Sequence, residues 1–182
     1  MNLERKELFR AIEKCLLNAQ ELYDEAVILE EHKRYARAYT LFQICIEEVG
    51  KTSLIHKFLF DNNVETSTIN KFLKDFRDHK VKIKSSISYD KIFSVLIEKI
   101  EIDEKDLKAS LDKEILNQYE NVSRNNDYKN FSLYTSFYKD DFRIPSELFF
   151  SEHVDSIKFV STMRLNMAKN FYEVNKAKID EF

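Results

Sequence analysis

The chain has 182 residues, 43% of them hydrophobic, which suffices for one domain with its own core, spanning 1–182. A net charge of −3 with 34% charged residues excludes a polycation built for nonspecific nucleic-acid binding, so any basic site must be local. One Gly and one Pro favour long helices over turn-dense sheet, two cysteines give no disulfide framework, and no apolar run reaches spanning length, so an all-α cytoplasmic protein off the membrane is expected.

From about residue 4 to 31 an apolar row runs through Leu8, Ile12, Cys15, Ala19, Leu22, Ala26 and Leu29, the spacing of one buried helix face. The row breaks at His32 to Arg34. It resumes at Tyr35, Ala38, Leu41 and Cys45 and reaches about Phe60, which predicts a long antiparallel helical hairpin. Asp61-Asn62-Asn63 signals a turn, and Thr66 or Ser67 can cap a third helix through Phe72, Phe76 and Ile83 to about Ile87. A shorter helix is expected over Asp90–Ile100. Asp103 and Asp106 resemble a capping arrangement before Leu107, Leu111 and Ile115. Between Ser123 and Phe142 a polar cluster, Arg124-Asn125-Asn126-Asp127, gives way to alternating Phe131, Leu133, Thr135 and Phe137, which reads as loop or short strand in an irregular segment near 123–145. A last helix follows Pro145 from Ser146 or Ser151 to the end. Its inward residues are Val154, Ile157, Met163 or Val160, Met167, Phe171 and Val174.

Most chemical signatures fail. Gly50-Lys51-Thr52 resembles the end of a phosphate-binding loop, but Cys45 stands where that loop needs its other Gly and no strand precedes it. The four histidines have no metal-ligand spacing with each other or with cysteine, and no glycine-flanked serine elbow exists, so neither a metal nor a cofactor is expected. Cys15 and Cys45 fall on apolar faces and read as core thiols.

Two ionisable residues stand where the pattern calls for apolar ones. Glu48 interrupts the stripe Leu41, Cys45, Thr52, Ile55, Leu59, and His79 interrupts Ile69, Phe72, Phe76, Ile83. Glu47 and Glu48 can both reach Lys51, but Glu47 shares its row with residues expected to be exposed and reads as a surface ion pair. The expectation is that the second and third helices face each other, with Glu48 and His79 hydrogen-bonded in the core, Lys51 and Asp78 at the rim, and Lys82 one turn from Asp78 and His79. The third helix also carries Lys71, Lys74, Arg77, Lys80, Lys82 and Lys84 against Asp75 and Asp78, a local excess of four positive charges that could hold a phosphate backbone. A solvated helix face explains the same lysines. The stretch 98–114, with seven acidic and four basic residues, could pair with that patch and compete with RNA.

The run Asn18-Ala19, Leu22, Glu25-Ala26, Leu29, then Tyr35-Ala36, Ala38, Leu41, then Glu47-Glu48-Val49-Gly50-Lys51, followed by Asp78-His79, Lys82 and Leu133-Tyr134, resembles the AbiV group of abortive-infection proteins in the HEPN superfamily. The most specific element is the Glu-Glu-x-Gly-Lys block joined to the downstream Asp-His. The resemblance implies a compact HEPN-like helical bundle, commonly a dimer, in a superfamily rich in metal-independent ribonucleases, and a role in phage defence in a bacterial cytoplasm. It leaves open a phage or host protein as trigger. Active members carry an Arg, then four to six intervening residues, then a His, and this chain lacks that spacing: Lys129, Asn130 and Phe131 stand where the His would follow Arg124, and Lys169, Asn170 and Phe171 where it would follow Arg164. If cleavage occurs, the candidate machinery is His79 as general acid or base, Glu48 orienting it, with Lys51, Asp78 and Lys82 beside them. Arg77, Lys80, Lys84 and Arg124 are the candidate RNA contacts. The competing readings are a noncatalytic RNA- or protein-binding module and a purely structural helical dimer. Exposed-looking Tyr138, Phe149 and Phe150 offer a dimer surface.

Overall fold

A helix that is apolar on every side has no solvent face to offer and must run through the middle of a bundle. The segment Tyr35–Phe60 behaves like one despite its charged residues, because only Arg37, Lys57 and Phe60 along it are exposed, and in the computed structural model, which describes residues 4–60, 66–99 and 105–176, everything else is arranged around it. Helix α1 (Arg5–Glu31) returns into α2 (Tyr35–Phe60) as an antiparallel hairpin, followed by α3 (Thr66–Asp75), α4 (His79–Ser86), α5 (Ser88–Lys99), α6 (Lys105–Glu120), α7 (Val122–Leu133), strands β1 (Ser136–Tyr138) and β2 (Asp141–Arg143), a 3-10 turn at Pro145–Glu147, and α8 (Ser151–Lys176). The fold is mostly helical with one small hairpin, as expected. Helices α1, α8, α4 and α7 all pack against α2.

The α1–α2 connection is tight because Lys33 adopts the left-handed conformation (φ 57°), so that Lys33 N–H reaches Glu30 O at 2.8 Å and Arg34 N–H reaches Leu29 O at 2.8 Å. The apolar row of α1 buries Leu8, Ile12, Cys15, Ala19 and Ala26 as expected. With Cys45, Val49, Ile55, Leu165, Ala168 and Tyr172 the first four build the main core, and Ala26 joins Tyr39, Phe42, Phe149 and Val154 in a second cluster toward the hairpin end. Both cysteines are buried, and burial pushes each thiol pKa up to about 11.

Four expectations need correction. The single helix expected over Thr66–Ile87 is broken between Asp75 and His79, because the Asp78 carboxylate accepts hydrogen bonds from Lys80 N–H (2.9 Å) and Val81 N–H (3.1 Å) and starts a new helix. The segment expected to be loop or strand from Ser123 begins instead as α7. Its buried positions Val122, Lys129 and Ser132 keep helical spacing, but two of them are polar and invisible to a hydrophobic template. Short strand is found where β1 and β2 pair antiparallel, Phe137 opposite Phe142, around a two-residue turn in which Lys139 (φ 49°) and Asp140 (φ 63°) are both left-handed. On α8 the buried face is Val154, Ser161, Arg164, Leu165, Ala168 and Tyr172, while Val174 is 72% exposed. Phe149 is core and meets Tyr39 at a tilt (centroids 4.8 Å, 51° between the ring planes), leaving Phe150 and Tyr138 exposed. Ile100, Asp103 and the end of the chain after Lys176 lie outside the described residues.

Candidate functional site

The only glycine of the sequence sets the geometry of the site. A Cβ built on Gly50 would lie 1.9 Å from the backbone oxygen of Lys82, so α4 presses onto α2 at a distance that no other residue permits. That approach delivers the start of α4 to Glu47, one turn before Gly50 on α2.

Glu47, 1% exposed, is the hub. Its Oε2 accepts from His79 Nδ1 at 2.6 Å and faces Lys82 Nζ at 3.1 Å, and its Oε1 accepts from Lys129 Nζ at 2.8 Å. Two elements beyond α2 therefore meet on one carboxylate: α4, through His79 at its N-terminus and Lys82 one turn on, and α7, through Lys129. Burial alone would push the Glu47 carboxyl up, but the Lys129 and His79 hydrogen bonds and the Lys129 and Lys82 charges outweigh it and hold the pKa below the usual value. Lys82 and Lys129 are buried with it, whereas the His79 side chain is 60% exposed. The cluster thus has a dry ionic base and a wet imidazole.

This corrects the expected pair. The partner of His79 is Glu47, and Glu48 is committed to Lys51, whose ammonium also lies 5.2 Å from the Phe76 ring centroid. Both acids are buried because α2 is surrounded, so the argument that one of them must face water fails. His79 is not a core residue either; it opens α4 at its exposed end. Asp78 caps α4 rather than touching the cluster. The structure therefore gathers His79 and Lys82 on a carboxylate, and separates Glu48, Lys51 and Asp78 from it.

Among the candidate RNA contacts, Arg77 and Lys80 are exposed on either side of His79, and Arg77 Nε donates to Leu73 O at 3.1 Å. Lys84 is exposed further along α4 with its ammonium 5.9 Å from the Tyr119 ring centroid. Arg124 sits elsewhere, on α7, lining a cleft of about 520 Å³ floored by Gln43 and Ile46 and closed by Tyr128, His153 and Arg164. The Gln43 side-chain nitrogen in that cleft is buried without a partner among the described residues.

Sequence reasoning missed Lys129 and a second buried network. Arg164 Nε and Nη2 grip Asp90 at 2.8 and 2.6 Å, Nη1 donates to Ser86 at 2.8 Å, and Nη2 also meets Gln118. This bidentate pair ties α8 to α4, α5 and α6. The one signal in the sequence was an arginine inside the apolar face of the last helix. Among the described residues no three His, Cys, Asp or Glu side chains gather to hold a metal ion, and no helix is long and apolar enough to cross a membrane.

A central buried helix, its antiparallel hairpin with α1, and an acid–histidine–lysine cluster where α4 and α7 meet it make up the compact helical bundle that the resemblance to the HEPN superfamily implies. The HEPN_AbiV family model, described as AbiV, matches residues 7–164, which include the hub, Gly50 and Arg164, and the chain belongs to the AbiV family of that superfamily. Membership sets abortive infection, a defence against phage, as its biological context. No curated protein and no solved structure matches the chain.

Proposed function

We propose that this protein is an abortive-infection effector that acts on RNA in the bacterial cytoplasm, with His79 as its proton-transfer group and Glu47 as the residue that positions it. The observation that carries the reading is the 2.6 Å contact between Glu47 Oε2 and His79 Nδ1 on a histidine whose side chain is 60% exposed. A carboxylate accepting from Nδ1–H fixes the tautomer in which Nε2 carries the lone pair, free to act as base. Nε2 takes the proton of a ribose 2′-hydroxyl. The 2′-oxygen bonds to the adjacent phosphorus, the bond from phosphorus to the 5′-oxygen breaks, and that oxygen leaves with a proton from solvent, giving a 2′,3′-cyclic phosphate and a 5′-hydroxyl. Arg77 and Lys80, exposed beside His79, would neutralise the phosphate during attack. Lys82 and Lys129 act on Glu47 and keep it ionised.

The buried commitment of Lys82 and Lys129 to Glu47 also favours a second reading, in which the cluster is a strut and the protein a noncatalytic RNA- or protein-binding module. A homodimer and a phage or host protein trigger belong to the proposal under either reading. Induced expression of the wild type and of His79→Ala, followed by mapping of RNA ends, separates the two. Cleavage with cyclic-phosphate ends that His79→Ala abolishes, at an unchanged melting temperature, supports catalysis. Growth arrest with intact RNA in both supports the module.

A further inference from the structure

We propose that the groove between the α1–α2 turn, the end of α7 and the segment after β2 is a binding site for unpaired RNA. This rests on the RNA-directed reading above and names the form of RNA that the protein takes. The groove encloses about 610 Å³ and is lined by Lys33, Arg34 and Arg37 on one side and by Tyr35, Ile144 and Phe150 among its apolar residues, with no acidic residue among the described residues that line it. In a chain of net charge −3 that concentration of positive charge runs against the whole. The side chains of Lys33 and Arg34 have no hydrogen-bond or ion-pair partner among the described residues, and both are exposed.

Three of the neighbouring acids are engaged, Glu30 with Lys158 at 2.7 Å and two others in and after the hairpin, while Glu31 and Asp140 stay exposed outside the lining. Glu147 accepts from Ile144 N–H at 3.1 Å, and Asp141 accepts from Phe142 N–H at 2.8 Å and lies 3.3 Å from Arg143. Arg37 donates through Nη1 to Leu133 O at 2.9 Å, which pins the turn to α7 and leaves its other N–H groups open to a phosphate. In the lining Phe150 is 53% exposed; Tyr134, between the lining residues Leu133 and Thr135, is 60% exposed, and on the hairpin that joins Thr135 to Ile144 the rings of Phe137 and Phe142 pair at 5.2 Å while remaining 62% and 73% exposed. Cations that follow a phosphate chain, interleaved with exposed ring faces, are what unpaired bases require, because stacking on a side chain is open only to a base that is not stacked on its neighbour. A duplex offers phosphates but keeps its ring faces inside. Helix α7 connects this groove to the hub: Leu133 meets Arg37 at one end and Lys129 meets Glu47 one turn earlier.

The test is fluorescence anisotropy of full-length protein carrying His79→Ala, so that the probe stays intact, with a labelled 12-nucleotide oligouridylate, an RNA duplex of equal length and polyglutamate as competitor. The oligouridylate should bind at least tenfold more tightly than the duplex. Phe150→Ala should weaken it by about 5- to 150-fold, the effect of losing one stacked base. Lys33→Glu with Arg34→Glu should weaken it further and flatten its salt dependence by roughly 0.7 log units per decade of salt for each phosphate that is no longer neutralised. Circular dichroism melts should leave all variants unchanged. Equal duplex binding, indifference to either substitution, or displacement by polyglutamate as readily as by unlabelled oligouridylate would overturn the proposal, the last pointing to an acidic protein partner. The two readings fail separately. Cleavage by a wild-type background carrying Lys33→Glu and Arg34→Glu at unchanged KM removes the groove and keeps His79, whereas tight oligouridylate binding by a wild type that never cleaves removes the catalytic role and keeps the groove.

Discussion

Replacing Gly50 with Ala sets two effects of opposite sign against each other. Inside a helix the exchange should stabilise by about 0.5 to 1 kcal/mol through lower chain entropy in the unfolded state. Against it, the new methyl carbon lies 1.9 Å from the Lys82 carbonyl oxygen, where ordinary contact begins at 3.4 Å, so α4 must retreat by about 1.5 Å. Overpacking alone costs about 1 to 3 kcal/mol. A shift of that size also stretches the 2.6 Å His79 and 3.1 Å Lys82 contacts to Glu47 beyond hydrogen-bond reach. The buried Glu47 charge then keeps Lys129 alone of its three partners, an effect on the scale of breaking a buried pair, about 3 to 5 kcal/mol. The net expectation is destabilisation of roughly 3 to 7 kcal/mol, a drop of at least about 6 °C for a chain of this size. The chain has no tryptophan, so urea titration followed by far-ultraviolet circular dichroism is the suitable assay. A Gly50→Ala protein with a higher urea midpoint than wild type would show that helix propensity wins and that α4 does not sit this close.

Glu47→Gln, which strands two buried ammonium groups, should cost about 3 to 5 kcal/mol, whereas Glu48→Gln, whose partner Lys51 is 20% exposed, should cost about 1 kcal/mol; chemical denaturation of both orders them. Asp90→Asn leaves the Arg164 guanidinium uncompensated and should likewise cost about 3 to 5 kcal/mol, while Lys71→Ala at the exposed Asp75 pair should cost under about 1 kcal/mol in the same titration. Burial lowers the His56 pKa from 6.5 to about 4, so below pH 6.5 the unfolded chain binds a proton that the folded one refuses, and stability falls with acidification. The loss should reach about 2 kcal/mol by pH 5 and be absent in His56→Leu. Glu47, held low, adds its own loss only below about pH 4.5, so titration between pH 5 and 7 reads His56 separately.

The hairpin of α1 and α2 was legible because small and aliphatic residues recur on one face of α1 and the break at His32 to Arg34 coincides with a left-handed Lys33. His79 and Lys82 were legible as members of a polar site facing α2, as was the Glu48–Lys51 pair. The choice between Glu47 and Glu48 was not. Periodicity ranks positions by assuming one wet face, and α2 has none, so adjacent carboxylates that point to different neighbours look unequal when both are buried. Lys129 was hidden for a related reason. Its helix reads as polar loop because two of the three residues it buries are a lysine and a serine, and only the three-dimensional meeting with Glu47 turns that lysine into a core residue. The break at Asp78 reflects a competition that an apolar stripe cannot register, a side chain satisfying the amides that a continuous helix would have used.

The two thiols have a practical use. Sulfur attacks alkylating reagents as the thiolate, and Cys15 and Cys45, shielded on opposite helices of the hairpin with pKa values raised to about 11, present almost none at neutral pH while the hairpin stays shut. Modification by iodoacetamide therefore counts openings of the α1–α2 seam. Each variant above carries this internal clock without any added label.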